Sequence, residues 1–470
     1  MRRWLPLLAA CMGTFMLLVD ANIVTVALPE IATDLDTGLS GLQWVMDGYA
    51  LALAALLLVT GALADRVGAK PVYLTGLAVF AVASLACALA GSGPMLVAAR
   101  VLQGIGGAAM FATTLSLLHA TYTGRDRGVA FGAWGAMAGA ASGLGTVLGG
   151  VLTEWLSWPW IFLVNLPIAA VAIVLSAKVF PRSPRHPEHA VDVPGMAAFA
   201  VAATTIVFGI IRAGEHGWGD GQAGAALGIG AAALLGFGYI ESRSAAPMFP
   251  LALLRNRTFA ATLLGASGQM FAAFASAPLL ALWLQQQLRL SPLHSGLAML
   301  PMAVVAFLVA GVFGRRLHGL APRWTIGAGL IVIDVGSGLL LLIDAGSSWT
   351  AMAPAFVVIG IGVGVNSPAL VSVGMAAVPP HQSATAAGAV NTARQLGMAL
   401  GIAVLGTVFG MATDDAAGMT PAEFVDGLRA ACAVASAVGI TFGLAAFVLF
   451  QRARQATTPP NPQAVLVPAD

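Results

Sequence analysis

A chain folded entirely into helices that cross a membrane many times is the fold class this sequence predicts. Three observations predict it. Of the 470 residues, 59% are hydrophobic and only 9% charged, against about 25% charged in soluble domains. The apolar residues come in runs of about 20, the length that carries a helix across about 30 Å of hydrocarbon. The short loops between the runs alternate between basic and acidic. A soluble enzyme needs a polar surface that so few charges cannot cover. A membrane barrel needs alternation over strands of about ten residues, which is absent. Lipid offers the backbone no hydrogen-bond partner, so long apolar runs must be helices.

Fourteen apolar segments can be read, at 5–28, 42–63, 72–91, 94–117, 128–151, 158–178, 195–213, 223–241, 259–284, 293–314, 324–343, 350–373, 386–410 and 425–450. Charge tests the count, because basic residues stay on the cytoplasmic side. With Arg2 and Arg3 inside, 17 of the 22 basic residues fall in inside loops or the C-terminal tail. Outside loops carry acids instead, among them Glu30, Asp34, Asp36, Glu215, Asp220, Asp344 and Glu423. A miscounted helix would invert every later loop. Both termini are therefore expected in the cytoplasm, which requires an even number of spans. Twelve would result if the pair at 195–241 were not fully inserted. The first run carries Asp20 and is followed by further spans, so it reads as an uncleaved helix and not a secretion signal. Residues 451–470, with prolines near the end, are expected to be a disordered cytoplasmic tail.

Several function classes are excluded by absence. No GxxxxGK[ST] loop is present for ATP. The loops are too short for a catalytic domain, so no enzyme activity is expected. No basic patch with interleaved aromatics is offered to nucleic acid. Cys11, Cys87 and Cys432 lie inside apolar runs and read as packing residues, and no metal site is indicated. The work left for such a chain is transport, with an ion gradient as its energy source and no cofactor.

Chemistry then rests on the few polar groups inside the spans. Asp20 sits mid-membrane, where a carboxylate costs about 2.5–3.5 kcal/mol. Such a group can hold a proton in one state and release it, or bind a cation, in another. Met12 and Met16 precede it on the same helix face and suit an adaptable apolar pocket. Arg100, followed by Gln103 and Gly104, must face a partner or a wet cavity; a fixed salt bridge is the plainer alternative. Asn391, Arg394 and Gln395 form a second polar cluster, and Asp334 lies mid-span. For these, a second site and a fixed pair stay equally open. His119 and His294 read as interfacial, His186 and His189 as solvated. The loop Gly61–Lys70, with Asp65, Arg66 and Gly68, is a tight reversal on the cytoplasmic side, echoed at Gly311–Arg316 as an internal repeat would be. Gly145, Gly149 and Gly150 let a fifth helix touch a neighbour backbone to backbone.

These residues resemble a known family. The loop 61–70 is similar to the GxLaDrxGrk signature of the major facilitator superfamily, and Arg100–Gly104 to its RxxQG motif. Leu18–Asp20 through Val26–Pro29 resembles LDxTxxNVALP, Gly145–Gly150 the antiporter GPxxGG, and Trp158–Phe162 through Asn165–Pro167 resembles WRWxFxxNxP. Asn391, Arg394, Gln395 and Gly397 resemble a late signature. The ordered set points to the fourteen-helix drug:proton antiporters. Departures are Thr25 for Asn, Ala69 and Pro159 for Arg, Ala141 for Gly, and Thr146 for the antiporter-motif proline. The last bears on transport direction. Trp44–Tyr49 resembles exporters that protect antibiotic producers.

The resemblance implies two six-helix bundles, 1–178 and 259–450, joined by a linker, 179–258, that carries two extra spans. It implies a multi-pass, monomeric protein of a bacterial inner membrane, surrounded by lipid. It places Met16, Asp20, Gln103, Gln269, Met270, Phe274, Asn366 and Ser367 around a central cavity. Asp20 and Arg100 would couple transport to protons. Gly61, Asp65, Arg66, Gly68, Lys70, Gly145, Gly149 and Gly150 would gate the conformational change. The expected function is proton-driven export of hydrophobic or cationic small molecules. An exporter of one metabolite, antibiotic or lipid, an importer, and a membrane sensor remain as alternatives.

Overall fold

The computed structural model of the chain describes residues 2–181, 191–317, 320–379, 382–413 and 420–457. Every regular element among them is helical. In order they are α1 (Leu5–Asp34), α2 (Leu39–Val67), α3 (Ala69–Ala88), α4 (Gly93–Thr121), α5 (Gly124–Trp155), α6 (Trp160–Leu163), α7 (Asn165–Val179), α8 (Val193–His216) and α9 (Gly221–Arg243). After a connector come α10 (Arg257–Ala273), α11 (Ala277–Leu282), α12 (Pro292–Leu317), α13 (Gly329–Leu339), α14 (Ala353–Ala376), α15 (Ser383–Met411) and α16 (Pro421–Thr457).

Among the described residues, 13 helical spans are long and apolar enough to cross a membrane, one fewer than expected. The run expected at 128–151 makes the difference. It does form a helix, α5, of 32 residues. Its many glycines add little apolar surface, and several of its side chains lie outside the described residues. Both α8 and α9 are among the 13, so the pair at 195–241 has full spanning length.

Helix ends follow local chemistry. Asp192, Asp220 and Asn256 cap α8, α9 and α10 by accepting from the backbone N–H of Gly195, Ala223, and Thr258 with Phe259. Gly68 alone separates α2 from α3, at φ 100°, a conformation that glycine adopts without strain. Two expected single spans are broken. The run at 158–178 divides at Val164 into α6 and α7, and the run at 259–284 divides at Phe274–Ser276, just before Pro278. The start of the expected tail is helical: α16 continues through Thr457, and no Gly or Pro interrupts residues 451–457. Residues 458–470 and the loop holding His186 and His189 lie outside the described residues.

Helices α1–α7 pack on one another, chiefly α2 and α3 on α4 and α1 on α5 and α7. Helices α10–α16 do likewise, with α12 and α13 on α14 and α10 on α15 and α16. A seam joins the two groups through α5 on α12, α2 on α15 and α1 on α11. Helix α8 lies along that seam, where Val207 and Ile211 meet Ala50 and Leu51 of α2 and Ala399 and Ala403 of α15.

Candidate functional site

Asp20 sits at the middle of α1, and side chains of α4 and α7 bond to it, backed by α2 and α3. Its Oδ2 lies 2.5 Å from Arg100 Nη1 of α4. Its Oδ1 accepts from Gln103 Nε2 at 2.8 Å and from Asn165 Nδ2 of α7 at 2.9 Å. Gln103 also donates to Ser84 Oγ of α3 at 2.9 Å. Arg100 is held in turn: Nη1 donates to Gln103 Oε1 at 2.6 Å, and Nε to the Val45 carbonyl of α2 at 3.1 Å. The Tyr49 ring lies 4.3 Å from the guanidinium carbon. Asp20, Arg100 and Gln103 are all 0% exposed. A buried charge is tolerable only when paired and hydrogen-bonded, and this network satisfies both groups.

Small residues make the convergence possible. A Cβ at Gly104 would lie 2.5 Å from the Tyr49 carbonyl oxygen, so only glycine lets α4 come close enough to α2 for Arg100 to reach Val45. Ser84 and Asn165 complete the network, although the sequence reading gave them no role. Asn165 was visible as the Asn of the WPWxFxxNxP stretch; Ser84 left no signal.

The residues expected around a central cavity divide. Met16, Asp20 and Gln103 face the interior of the α1–α7 group and are fully covered in this conformation. The reason is energetic: the charge is satisfied from within the group and not by solvent. Gln269 and Asn366 are also 0% exposed; Gln269 donates to Ser367 Oγ at 2.6 Å and Asn366 to the Ile326 carbonyl at 3.2 Å. Met270, Phe274 and Ser367 keep partial exposure.

The seam is shut at the end that carries the acidic loops. Gln43 Nε2 donates to the Ile402 and Ala403 carbonyls at 3.0 and 3.2 Å, and Gln285 Nε2 to the Val26 carbonyl at 2.7 Å. The Leu293 N–H donates to Glu154 at 2.9 Å. A void of about 10 Å³ remains between Leu28, Leu42, Pro278, Leu282 and Ile402, too small for more than a water. The expected glycines lie in this closure. A Cβ at Gly145 or Gly149 would meet Asn22 or Ile23 of α1, and one at Gly150 would sit 2.6 Å from Leu293 Cα of α12. At the opposite end, Asp65 and Arg66 are exposed and a Cβ at Gly61 would meet nothing. Lys70 Nζ donates to the Ala177 and Phe180 carbonyls, both at 2.7 Å.

The second polar cluster does not assemble. Asn391 donates to Ala387 of its own helix at 2.9 Å, and among the described residues no carboxylate pairs with Arg394. Gln395 is half-buried beside them. Two buried carboxyls have no hydrogen-bond partner among the described residues: Asp334, against Gly439 of α16, and Asp47 of α2, which lies in the Trp44–Tyr49 stretch. In the turn between α8 and α9, Asp220 accepts from the Ala223 N–H at 2.9 Å and from Arg212 Nε at 2.7 Å. Those two bonds, the backbone one first, hold its carboxyl below the usual range.

The model of one family, the Major Facilitator Superfamily, matches residues 10–402. The chain belongs to that superfamily of membrane transporters. Among its major facilitator relatives, a methylenomycin A resistance protein of Streptomyces coelicolor is 35% identical over 86% of this chain and 86% of its own. A puromycin resistance protein of Streptomyces alboniger is 33% identical over 93% and 89%. A tetracenomycin C resistance and export protein of Streptomyces glaucescens is 32% identical over 88% and 77%. A peptide transporter crystallised with sulfate shares the fold with a TM-score of 0.67 at 17% identity, covering 96% of this chain and 94% of its own. The human organic anion transporter structure gives 0.62 at 17%, covering 96% and 99%.

Proposed function

We propose that this major facilitator is a proton-coupled exporter of hydrophobic or cationic drugs or antibiotics, working by alternating access. The observation that carries the reading is the buried Asp20–Arg100 pair with its amide donors. Protonating Asp20 would cancel the charge that holds Arg100. Arg100 also grips α2 at the Val45 carbonyl, and α2 grips α15 through Gln43. The charge on Asp20 is therefore linked, through Arg100 and α2, to the contacts at the shut seam. In the proposed cycle, protons from outside load Asp20, the loaded protein turns inward, and substrate from the cytoplasm displaces the proton. The energy source is the gradient and no bound cofactor.

This reading takes α5 as a fourteenth span, residues 1–178 and 259–450 as two six-helix bundles, and 179–258 as the linker that carries α8 and α9. It puts the basic loops and both termini in the cytoplasm of a bacterial cell, and the protein in its inner membrane as a monomer among lipids. The conformation described above is then inward-facing. Asp65, Arg66 and Lys70 would latch the cytoplasmic side in the opposite state.

Relatives named for single antibiotics support a second reading, export of one compound with narrow specificity. Proteoliposomes with an imposed pH gradient test both. Lipophilic cations such as ethidium should drive proton release that vanishes in Asp20→Asn. A fully active Asp20→Asn would sink the coupling scheme. Proton release with one antibiotic and no competition from ethidium would favour the narrow exporter.

A further inference from the structure

Two carboxyls at the cytoplasmic base of the inserted helix pair have no role in the transport scheme. Asp192 caps the start of α8, and Glu241 stands two residues before the end of α9. Both are more than nine-tenths buried, at 8% and 4% exposure. Each has one oxygen fixed by the backbone: Asp192 Oδ1 accepts from the Gly195 N–H at 2.8 Å, and Glu241 Oε2 from the Phe249 N–H at 3.2 Å. The other two oxygens, Asp192 Oδ2 and Glu241 Oε1, have no partner among the described residues. They converge on one point. A Cβ built on Gly195 would lie 2.8 Å from each, so the two oxygens are within twice that distance of one another.

Two bare carboxylates cannot stay so close in an apolar setting, since one must be neutralised. The described surroundings hold no cation for the task. Arg243 on α9 is exposed and lies over the Tyr239 ring, at 5.6 Å from its centre. Asp65 and Arg66 on α2 and Arg255 and Arg257 in the connector and α10 are exposed. Helix α8 carries no titratable group before Arg212, at its far end. A metal ion would need several more oxygen ligands. Among the described residues no third Asp, Glu, His or Cys joins the pair, and its neighbours Val191, Met196, Met248 and Phe249 belong to an apolar cluster with Val59 of α2.

We propose that Asp192 and Glu241 form a proton-binding site, in which Oδ2 of one and Oε1 of the other share a single proton taken up from the cytoplasmic side. The remaining negative charge rests on the Gly195 N–H and the positive end of the α8 dipole. The shared proton clasps the start of the inserted pair to its finish. Through Val59 it also ties both to the end of α2 that leads to the Gly68 turn, the only break in the expected loop 61–70, whose other residues are helical. Losing the proton sets the two carboxylates against each other and opens the clasp.

The test uses the purified full chain in detergent. Folding with the clasp closed binds one proton more than the unfolded chain, so stability falls as pH rises through the release of that proton. The unfolding equilibrium of wild type should worsen by up to about tenfold per pH unit at the acid end of a series from about pH 6 to about pH 9 and level off once the proton has left. Asp192→Asn and Glu241→Gln each replace the shared proton with a fixed amide N–H, and Asn caps a helix as well as Asp. Both variants should show a shallower slope over that range, and infrared difference spectra against wild type should lose one protonated-carboxyl C=O band. Protection of the Phe249 amide, measured against the intrinsic exchange rate at each pH, should fall with rising pH in wild type alone. An unchanged slope with an unchanged carboxyl band in both variants overturns the proposal. So does stabilisation of wild type by magnesium or calcium ions that disappears in Glu241→Gln, because the pair would then hold a metal ion.

Discussion

Neutralising Asp20 and Arg100 singly and together separates what the pair does for the fold from what it does for coupling. Both side chains are at most 1% exposed, and their charged atoms are 2.5 Å apart. Removing one partner of such a pair typically costs about 3–5 kcal/mol, because the other charge is left buried. Asp20→Asn should fall near the lower end, about 3 kcal/mol. Arg100 would keep the Val45 and Gln103 acceptors and the Tyr49 ring. Arg100→Gln should cost more, since Asp20 would be left with two neutral amide donors, Gln103 and Asn165. The double variant buries no charge and should be less damaged than the sum of the singles, with a coupling energy of about 2–3 kcal/mol. The assay is denaturant unfolding in detergent micelles, followed by substrate-driven proton flux in proteoliposomes. The double variant should regain stability and stay uncoupled. Additivity within about 0.5 kcal/mol would refute an energetic pair. Proton-coupled transport by the double variant would refute the role given to Asp20.

Three further outcomes are expected. Gly150→Leu would drive a side chain into Leu293 and Pro292, whose atoms lie 2.6 Å from the first added carbon; it should cost about 1–3 kcal/mol and raise alkylation of a cysteine placed at Leu282, whereas unchanged labelling would mean that the seam does not depend on this contact. Asp47→Leu removes a fully buried carboxyl with two unpartnered oxygens and should raise the thermal midpoint, by about 1–3 kcal/mol of stability; a lower midpoint would show that Asp47 has a partner in the membrane. Asp220→Ala should speed amide exchange at Ala223. Because the native carboxyl is held low by the Ala223 N–H and Arg212, its contribution is present above the ordinary carboxyl range and lost as pH falls through the native value, so the variant should differ from wild type at neutral pH and match it in strong acid.

Long-range signals were the legible ones. Helix positions followed from run length, and the polar residues inside runs found Asp20 and Arg100, because a membrane makes every ionisable group conspicuous. The contact between them was not legible, since no periodicity links positions on α1 and α4. Neither were the breaks at Val164 and Phe274–Ser276, because an apolar run reads the same whether its helix is continuous or interrupted. Composition misled at α16, where Gln451 and Arg452 looked like a tail but continue the helix. Asp192 and Glu241 were invisible as a pair, being separated by two whole helices that fold back on each other.

Helix α2 is where the buried chemistry and the seam meet. Its Val45 carbonyl takes Arg100 from one side, and its Gln43 reaches the carbonyls of α15 on the other. Asp47 lies on the same turn as both, and Ala50 and Leu51 follow against α8 and α15. Farther along, Val59 meets the cluster beside the Asp192–Glu241 pair. A rigid helix transmits a small rotation along its whole length, and packed interfaces answer it by switching between discrete arrangements. Breaking the Arg100 grip at Val45 would therefore be felt at Gln43, within one turn, before it reached Val59, about four turns away. That order predicts that variants at Gln43 alter coupling more than variants at Val59 do. A proton-flux comparison of Gln43→Leu with Val59→Ala decides it, and equal effects would mean that α2 does not carry the signal.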